Sequence, residues 1–481
     1  MMITQLEPRN VFRFFDEICK IPRPSKKEEQ ISSYLQHFGK SRGLETITDA
    51  AGNVLIRKAA TTGKEQCPTV VLQAHMDMVC EKNADVKHDF LHDAIQTYID
   101  GDWVRAKGTT LGADNGIGIA AILAVLDADN LAHGNIEALF TVDEETGLTG
   151  AFALDPNLLK GNILINLDSE DDGELFIGCA GGCDTIATFN YKEELADERM
   201  FFFTVTISGL LGGHSGDDID KGRANANKLL VNYLNRIAEQ TTLRIAHIDG
   251  GNLRNAIARE ASVAAAVPFS YKENLRIEFN HYMAAVEAQF NEVEPNLSMV
   301  LQSETVQKTV IDHTTSQALL SALTACPHGV IAMSKTMPGL VETSTNLASI
   351  KMANGKITIA TSQRSSIESD KNDLAKQIET IFANKGANVT HSDGYPGWNP
   401  NTDSPIVRLT AATYERLFGE KARVRAIHAG LECGLFAEKY PNLDMISFGP
   451  TMRGVHSPDE RLSIAATQRF WKLLVEVLQQ I

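Results

Sequence analysis

The stretch VVLQAHMDMV, residues 70–79, decides how the chain folds. Val70, Val71 and Leu72 predict a buried strand, because a short aliphatic run of this kind suits a strand covered on both faces. His75 and Asp77 follow where that strand should end, and residues two apart in extended chain point the same way. A neutral imidazole can bind a metal through one nitrogen while a carboxylate fixes its other N–H, but the short separation leaves open which atom Asp77 would hold. Taken alone, the same H-x-D reads more simply as a surface loop.

Working outward, Val11, Phe14, Phe15 and Ile18 recur at helical spacing, and Ser25 with Glu28 forms a capping box that opens a second helix through Ile31, Tyr34, Leu35 and Phe38. Residues 44–48 and 54–57 flank an Ala-Gly-Asn turn and predict a hairpin. GIGIAAILAVL, residues 116–126, predicts a buried helix, followed by strands at 136–142 and 163–167. Strands alternating with helices at this spacing define an α/β layer with a mostly parallel sheet flanked by helices.

Beyond GCAGG at residues 178–182 the texture changes. A strand at 201–207, a helix at 224–238, strands at 243–248 and 261–267, a helix at 274–293 and a strand at 297–301 follow the β-α-β-β-α-β order of a ferredoxin-like module. A helix at 316–325, strands at 347–352 and 356–361 and a helix at 373–383 extend it beyond one module. GYPGWNP, residues 394–400, reads as a return hinge. A helix at 407–417, a strand at 445–447, a loop holding His456 and a helix capped near Ser463 then restore the α/β texture. The expected organisation is an α/β domain made of residues 1–184 and 395–481, interrupted by an α+β, ferredoxin-like domain at 185–394.

Composition narrows the function. A chain of 481 residues with 45 basic and 61 acidic side chains carries a formal charge of −16, which argues against nucleic acid and against anionic membranes as partners. The longest apolar run, residues 117–126, is too short to span a bilayer. The N-terminus, MMITQLEPRN, has neither the apolar core of a signal peptide nor a basic amphipathic presequence. Seven dispersed cysteines suit a reducing cytoplasm, and Cys179 and Cys183 within GCAGGC read as part of a glycine-rich structural turn.

Four further segments turn His75 into a constellation. The strand at 136–142 runs into Asp143, Glu144 and Glu145, the strand at 163–167 into Asp168, and the strand at 445–447 into the loop bearing His456; Asp114 stands directly before the buried helix. Ligands gather at the carboxyl ends of strands in open α/β sheets, so these side chains can converge in one crevice. Singly, Asp114 reads as a helix cap and Glu144 and Glu145 as a solvated pair. Together, two histidines and three carboxylates exceed what one tetrahedral zinc needs and suit two ions sharing a bridging carboxylate. Nitrogen and oxygen donors without thiolate favour zinc, manganese or cobalt. The Glu144–Glu145 pair supplies one carboxylate beyond the ligands, available as a base. A rival reading is the dinucleotide fingerprint G-x-G-x-x-A at Gly116, Gly118 and Ala121, which would make the chain a nucleotide-dependent oxidoreductase. That motif should follow a strand immediately, whereas residues 107–115 are a Gly- and Thr-containing loop, so helix packing is the better account of these residues.

HMD at 75–77, GADNG at 112–116, DEETG at 143–147, NLDSE at 166–170, GGHSG at 212–216 and HSPDE at 456–460 resemble the co-catalytic metallopeptidases related to aminoacylase and glutamate carboxypeptidase. GTTLGADNGIG, GCAGG, KGRANANKLLV, IHAGLECGLF and YPGW extend the resemblance along the chain, toward the dipeptide-cleaving members of that family. The resemblance implies hydrolysis of dipeptides, Xaa-His and broader, by a water activated at two divalent ions, most simply zinc. It implies His75 and Asp168 on one ion, Glu145 and His456 on the other, Asp114 on both, Asp77 orienting His75, and Glu144 as general base. It also implies a cis bond between Asp114 and Asn115. The insert becomes the family's lid, with His214 stabilising the oxyanion and Asn255 and Arg364 holding the substrate's terminal carboxylate. Small peptides are then the partners, and a homodimer is compatible. Ala258 stands where close relatives have proline, and HAGLECG at 428–434 replaces the G-G-x-D turn of distant members. An N-acyl-amino-acid deacylase of the same fold is the alternative.

Overall fold

The computed structural model of the chain describes residues 2–304 and 309–481. The chain divides into two compact units, one made of Met1–Gly178, Trp398–Ala426 and Leu431–Ile481, the other of Cys179–Gly397 and Ile427–Gly430.

In the first unit the main sheet runs in the order Glu45–Thr48, Val54–Lys58, Ile136–Thr141, Val70–His75, Ile163–Asn166, Asp444–Ser447, Glu174–Cys179, Arg423–Ile427. The four central strands, from Ile136–Thr141 to Asp444–Ser447, are parallel to one another. Every residue of Val70–His75 and of Ile136–Thr141 is buried, as strands covered on both faces require. The register sets His75 beside Thr141, Gln73 beside Asn166, and Asn166 beside Ser447, so the chain leaves these strands along one edge of the sheet.

Helices cover the sheet. Arg9–Ile18 buries Val11, Phe12, Phe14, Phe15 and Ile18, and Ala113–Asp127 is buried along nearly its whole length. Each fully buried aliphatic or aromatic side chain contributes about 1.5–3 kcal/mol, which outweighs the entropic cost of two glycines, Gly116 and Gly118, inside the second of these helices. Those glycines serve packing: a side chain on Gly116 would meet Phe15 and Arg23, and one on Gly118 would meet the carbonyl of Leu167. No helix among the described residues is long and apolar enough to cross a membrane.

A smaller sheet in the same unit pairs Met452–Arg453 with Arg461–Ser463, Arg461–Ser463 with Trp103–Ala106, and Trp103–Ala106 with Thr97–Asp100. Its first hairpin frames the loop that carries His456. The expected capping box does not form. The helix starts at Glu29, and Glu28 at its N-cap makes no side-chain cap. Its carboxylate accepts instead from the backbone N–H groups of Lys26 and Asp143, both at 2.9 Å, and the Ser25 hydroxyl donates to Asp77 at 2.8 Å. Both residues are drawn to the strand ends.

The second unit has an antiparallel sheet ordered Ser298–Ser303, Met200–Ser208, Ala261–Pro268, Arg244–Gly250, Val341–Ala353, Lys356–Ser365, Gly181–Asn190, Asn388–His391, with Gly329–Met333 paired to Val341–Ala353. Its first four strands, with helices Ala226–Ala238 and Lys272–Phe290, have ferredoxin-like connectivity. Phe203, Val205, Tyr233, Leu234, Val263 and Phe279 belong to its core. The segment read as a glycine-rich turn is a strand: Gly181–Asn190 pairs with Lys356–Ser365, and Gly182 exchanges backbone hydrogen bonds with Tyr395. Small residues are needed there because a Cβ on Gly181 would meet the backbone of Tyr395, Pro396 and Gly397. That pairing sets the unit's boundaries at Cys179 and Gly397, rather than at residues 185 and 394.

Replacing Leu72, fully buried in the central strand, by alanine is expected to destabilise the first unit by about 2–5 kcal/mol in urea unfolding. A loss below about 1 kcal/mol would contradict its central position.

Candidate metal centre

His75 closes the strand Val70–His75 and is 1% exposed. Its Nε2 lies 3.0 Å from Asp114 Oδ1 and 3.3 Å from Asp168 Oδ1, and its Nδ1 lies 3.3 Å from Asp77 Oδ1 without a directed hydrogen bond. The fully buried Asp77 accepts from the N–H groups of Glu144 at 3.0 Å and Glu145 at 3.2 Å. It therefore fixes the acidic turn after the neighbouring strand while standing beside the imidazole. Burial opposes its charge, but His75, these N–H groups and Ser25 outweigh that and hold its carboxyl near 2.

Asp114 sits at a break in the opening turn of the helix Ala113–Asp127, where the Asp114–Asn115 bond is cis. One carboxylate oxygen faces His75; the other lies 3.3 Å from His456 Nε2, and the same nitrogen is 3.1 Å from Glu145 Oε2. Asn115 donates through Nδ2 to Asp168. The structure thus brings His75, Asp77, Asp114, Glu145, Asp168 and His456 together from five separate segments.

As side chains alone, these groups balance charge with protons. Burial lowers the basicity of His75, yet Asp168, Asp114 and Asp77 overcome it and raise its pKa well above the ordinary value. Hydrogen bonds to Asp114 and Glu145 likewise raise His456, which is about half exposed. Burial would raise Asp114, but His456 and His75 pull its carboxyl below the usual range. Asp168 is pushed up to about 6, by burial first and by Asp114 in addition. Glu144 is raised well above an ordinary glutamate by burial, with Asp168, Glu432 and Glu145 adding to it. Single donor atoms of His75, Asp114 and Glu145 all lie within 4.8 Å of one another. Imidazole and carboxylate donors at that separation fit divalent ions, which would replace the imidazole protons.

Two positioning groups are not evident from sequence. Arg23, 2% exposed, donates through Nη1 to the carbonyls of Met76 at 3.1 Å and Asp77 at 2.7 Å, and through Nη2 to the carbonyl of Gly112. Glu432, 1% exposed, accepts at Oε2 from Gln73 at 2.6 Å and Thr141 at 2.8 Å, while its Oε1 has no partner among the described residues. Gln73 accepts from Asn166, and Asn166 from Ser447, so a polar line crosses the parallel strands just beneath the ligand-bearing ends. Neither residue has a spacing signal; only the fold brings them here.

His214, Asn255 and Arg364 belong to the second unit. His214 Nδ1 accepts from the N–H groups of Gly216 and Asp217, both at 3.3 Å, which leaves Nε2–H available as a donor. The Asp217 carboxylate also stands 3.4 Å from that Nδ1, but the directed N–H bonds are the better guide to the tautomer. Asn255 is exposed, and its carbonyl accepts from Ser215 N–H at 2.8 Å. Arg364, 7% exposed, donates to the Tyr395 hydroxyl at 2.9 Å, and its Nε has no partner among the described residues. His428 pairs with Ser344 at 2.7 Å, and Ser344 is the cross-strand partner of Arg364.

An α/β sheet with imidazoles and carboxylates gathered at its parallel strand ends suits a metal-dependent enzyme. The chain matches the peptidase family M20/M25/M40 over residues 71–480, and it belongs to that family. It is 44% identical over 479 residues to the cytosol non-specific dipeptidase of Escherichia coli (strain K12), spanning 100% of this chain and 99% of the relative. The crystal structure of aminoacylhistidine dipeptidase from Vibrio alginolyticus superposes with a TM-score of 0.95 at 44% identity, covering 100% of this chain and 98% of that one. Aminopeptidase PepT from Bacillus cereus shares the fold, with a TM-score of 0.56 at 16% identity and 99% of each chain covered.

Burial, with Asp168 adding to it, pushes Glu432 up to about 8 against His75, Thr141 and Gln73, which pull it down. A folded-state pKa above the unfolded value of about 4.3 makes the folded chain hold the extra proton, so this contribution to stability is lost as pH rises toward 8. In the chelator-treated chain, Glu432→Gln is expected to gain stability relative to wild type by more than about 1 kcal/mol between pH 5 and pH 8. A pH-independent difference in urea unfolding would contradict this.

Proposed function

We propose that the chain is a dinuclear metallopeptidase that hydrolyses dipeptides, Xaa-His among them, in the cytoplasm. The observation that carries this reading is the engagement of both His75 and His456 by Asp114, with Glu145 and Asp168 completing the set, in a chain so similar end to end to a dipeptidase. His75 and Asp168 would hold one ion, Glu145 and His456 the other, and Asp114 both. The donor chemistry favours zinc, with cobalt or manganese also suited. When bound, such a pair of ions acidifies water and polarises a carbonyl oxygen.

The chain's own residues divide the remaining work. Asp77 orients His75 and fixes the turn that presents Glu144. Glu144 takes a proton from the attacking water on its carboxylate and returns it to the amide nitrogen of the leaving residue. Its burial beside Asp168, Glu432 and Glu145 supports a base more avid for a proton than an exposed glutamate. In the second unit, the proposed lid, Nε2–H of His214 suits a donor to the carbonyl oxygen as negative charge develops on it. Arg364 and Asn255 are the proposed partners of the substrate's terminal carboxylate, and the unpaired Nε of Arg364 supports a two-pronged contact. Seven cysteines dispersed along so long a chain suit a reducing compartment.

Dipeptides and N-acyl amino acids assayed side by side, after chelation and after return of zinc, cobalt or manganese, test this reading. Metal-restored cleavage of dipeptides is expected, and cleavage of acyl amino acids alone would identify a deacylase. Glu144→Gln should retain metal while turnover falls about 10²–10⁴-fold; near-native turnover would remove Glu144 as the base.

A further inference from the structure

HSPDE at residues 456–460 carries a buried carboxylate besides its histidine. Glu460 is 2% exposed and receives four consecutive backbone N–H groups from the far side of the sequence. Its Oε2 accepts from Leu111 at 2.7 Å and Gly112 at 2.9 Å, and its Oε1 from Ala113 at 2.7 Å and Asp114 at 3.4 Å. The first N–H groups of a helix have no partner within it. The helix Ala113–Asp127 has no side-chain cap of its own, since Gly112, in the left-handed region at φ 68°, stands at the N-cap. Glu460 caps it from another segment, and its negative charge meets the positive end of the helix dipole.

The geometry points to Glu460 as a positioning residue that sets the distance between the two halves of the metal centre. Asp114 leads the capped helix, whereas His456 lies four residues before Glu460 in a tight loop. In that loop Ser457 donates to the carbonyl of Gly454 at 2.7 Å and Glu460 N–H donates to the carbonyl of Ser457 at 3.0 Å. The carboxylate therefore ties the His456 loop to the Asp114 segment. His75 is held separately, by the strand it ends and by Arg23 on the carbonyls of Met76 and Asp77. Arg23 also grips the carbonyl of Gly112, so the ligand-bearing turn is clasped at its N–H groups by one buried charge and at a carbonyl by the other. Loss of the Glu460 charge should loosen the ion shared by Asp114, Glu145 and His456 more than the ion on the His75 side.

This inference rests on the two-metal reading and is tested by cobalt(II) titration of the whole chain, followed by its visible spectrum and by the number of ions bound. Wild type and Glu174→Gln should bind two ions with the same spectrum; Glu174 is also a buried carboxylate, and it pairs with Arg425 rather than with a segment bearing the proposed ligands. Glu460→Gln should keep one ion at native affinity and bind the second about 10–100-fold more weakly, with an altered spectrum. Glu460→Asp, which keeps the charge but shortens its reach, should weaken the same ion by less and serves if the glutamine variant does not fold. Native affinity and spectrum in either variant, or equal weakening of both ions, would overturn the assignment. A wild type that binds fewer than two ions would overturn the two-metal reading itself, and this inference with it.

Discussion

Asp114 places one carboxylate oxygen 3.0 Å from Nε2 of His75 and the other 3.3 Å from Nε2 of His456. Those imidazoles are 381 residues apart in sequence, counting from 75 to 456, and they arrive on different structural elements. For one short side chain to engage both, the opening turn of its helix, the end of the central strand and the loop between Arg453 and Arg461 must be fixed relative to one another to within fractions of an ångström. The first unit can be understood as the set of contacts that meets this requirement.

Its physical difficulty is charge. Asp77, Asp114, Glu145 and Asp168 are gathered where water is largely excluded, and like charges in such surroundings repel strongly. The chain offsets that with backbone N–H groups on Asp77 and Glu460, with the Asn115 amide on Asp168, and with imidazoles that readily take protons. Divalent ions supply the same neutralisation while leaving the imidazoles neutral, which links metal uptake to proton release. Buried charges paired in this way contribute little net stability. Stability comes from the aliphatic strands and the helices packed on them, and the polar cluster is positioned by that apolar frame.

Much of this frame was legible in the sequence. The aliphatic run Val70–Leu72 identifies a strand buried on both faces, and parallel strands place His75, Asp168 and the acidic turn on one edge. The ferredoxin-like order of the second unit follows from alternating helical and strand periodicity. Local rules failed where tertiary demands overrode them. Ser25 and Glu28 match a helix cap, but Asp77 and the N–H of Asp143 compete for them and win. Gly181 and Gly182 match a turn, but they are strand residues kept small by the backbone running beside them. Arg23 carries no periodic or motif signal, and Glu432 and Glu460, although they lie in HAGLECG and HSPDE, have partners that no local pattern names, because each acts on main-chain or side-chain groups remote in sequence.

Crystals of the zinc-loaded chain measured at the zinc absorption edge test whether one carboxylate bridges two ions at the strand ends. Two anomalous peaks about 3.5–4 Å apart are expected, with an oxygen of Asp114 on each, His75 and Asp168 on one and Glu145 and His456 on the other. A single peak, or two peaks of which Asp114 touches only one, would contradict the bridge.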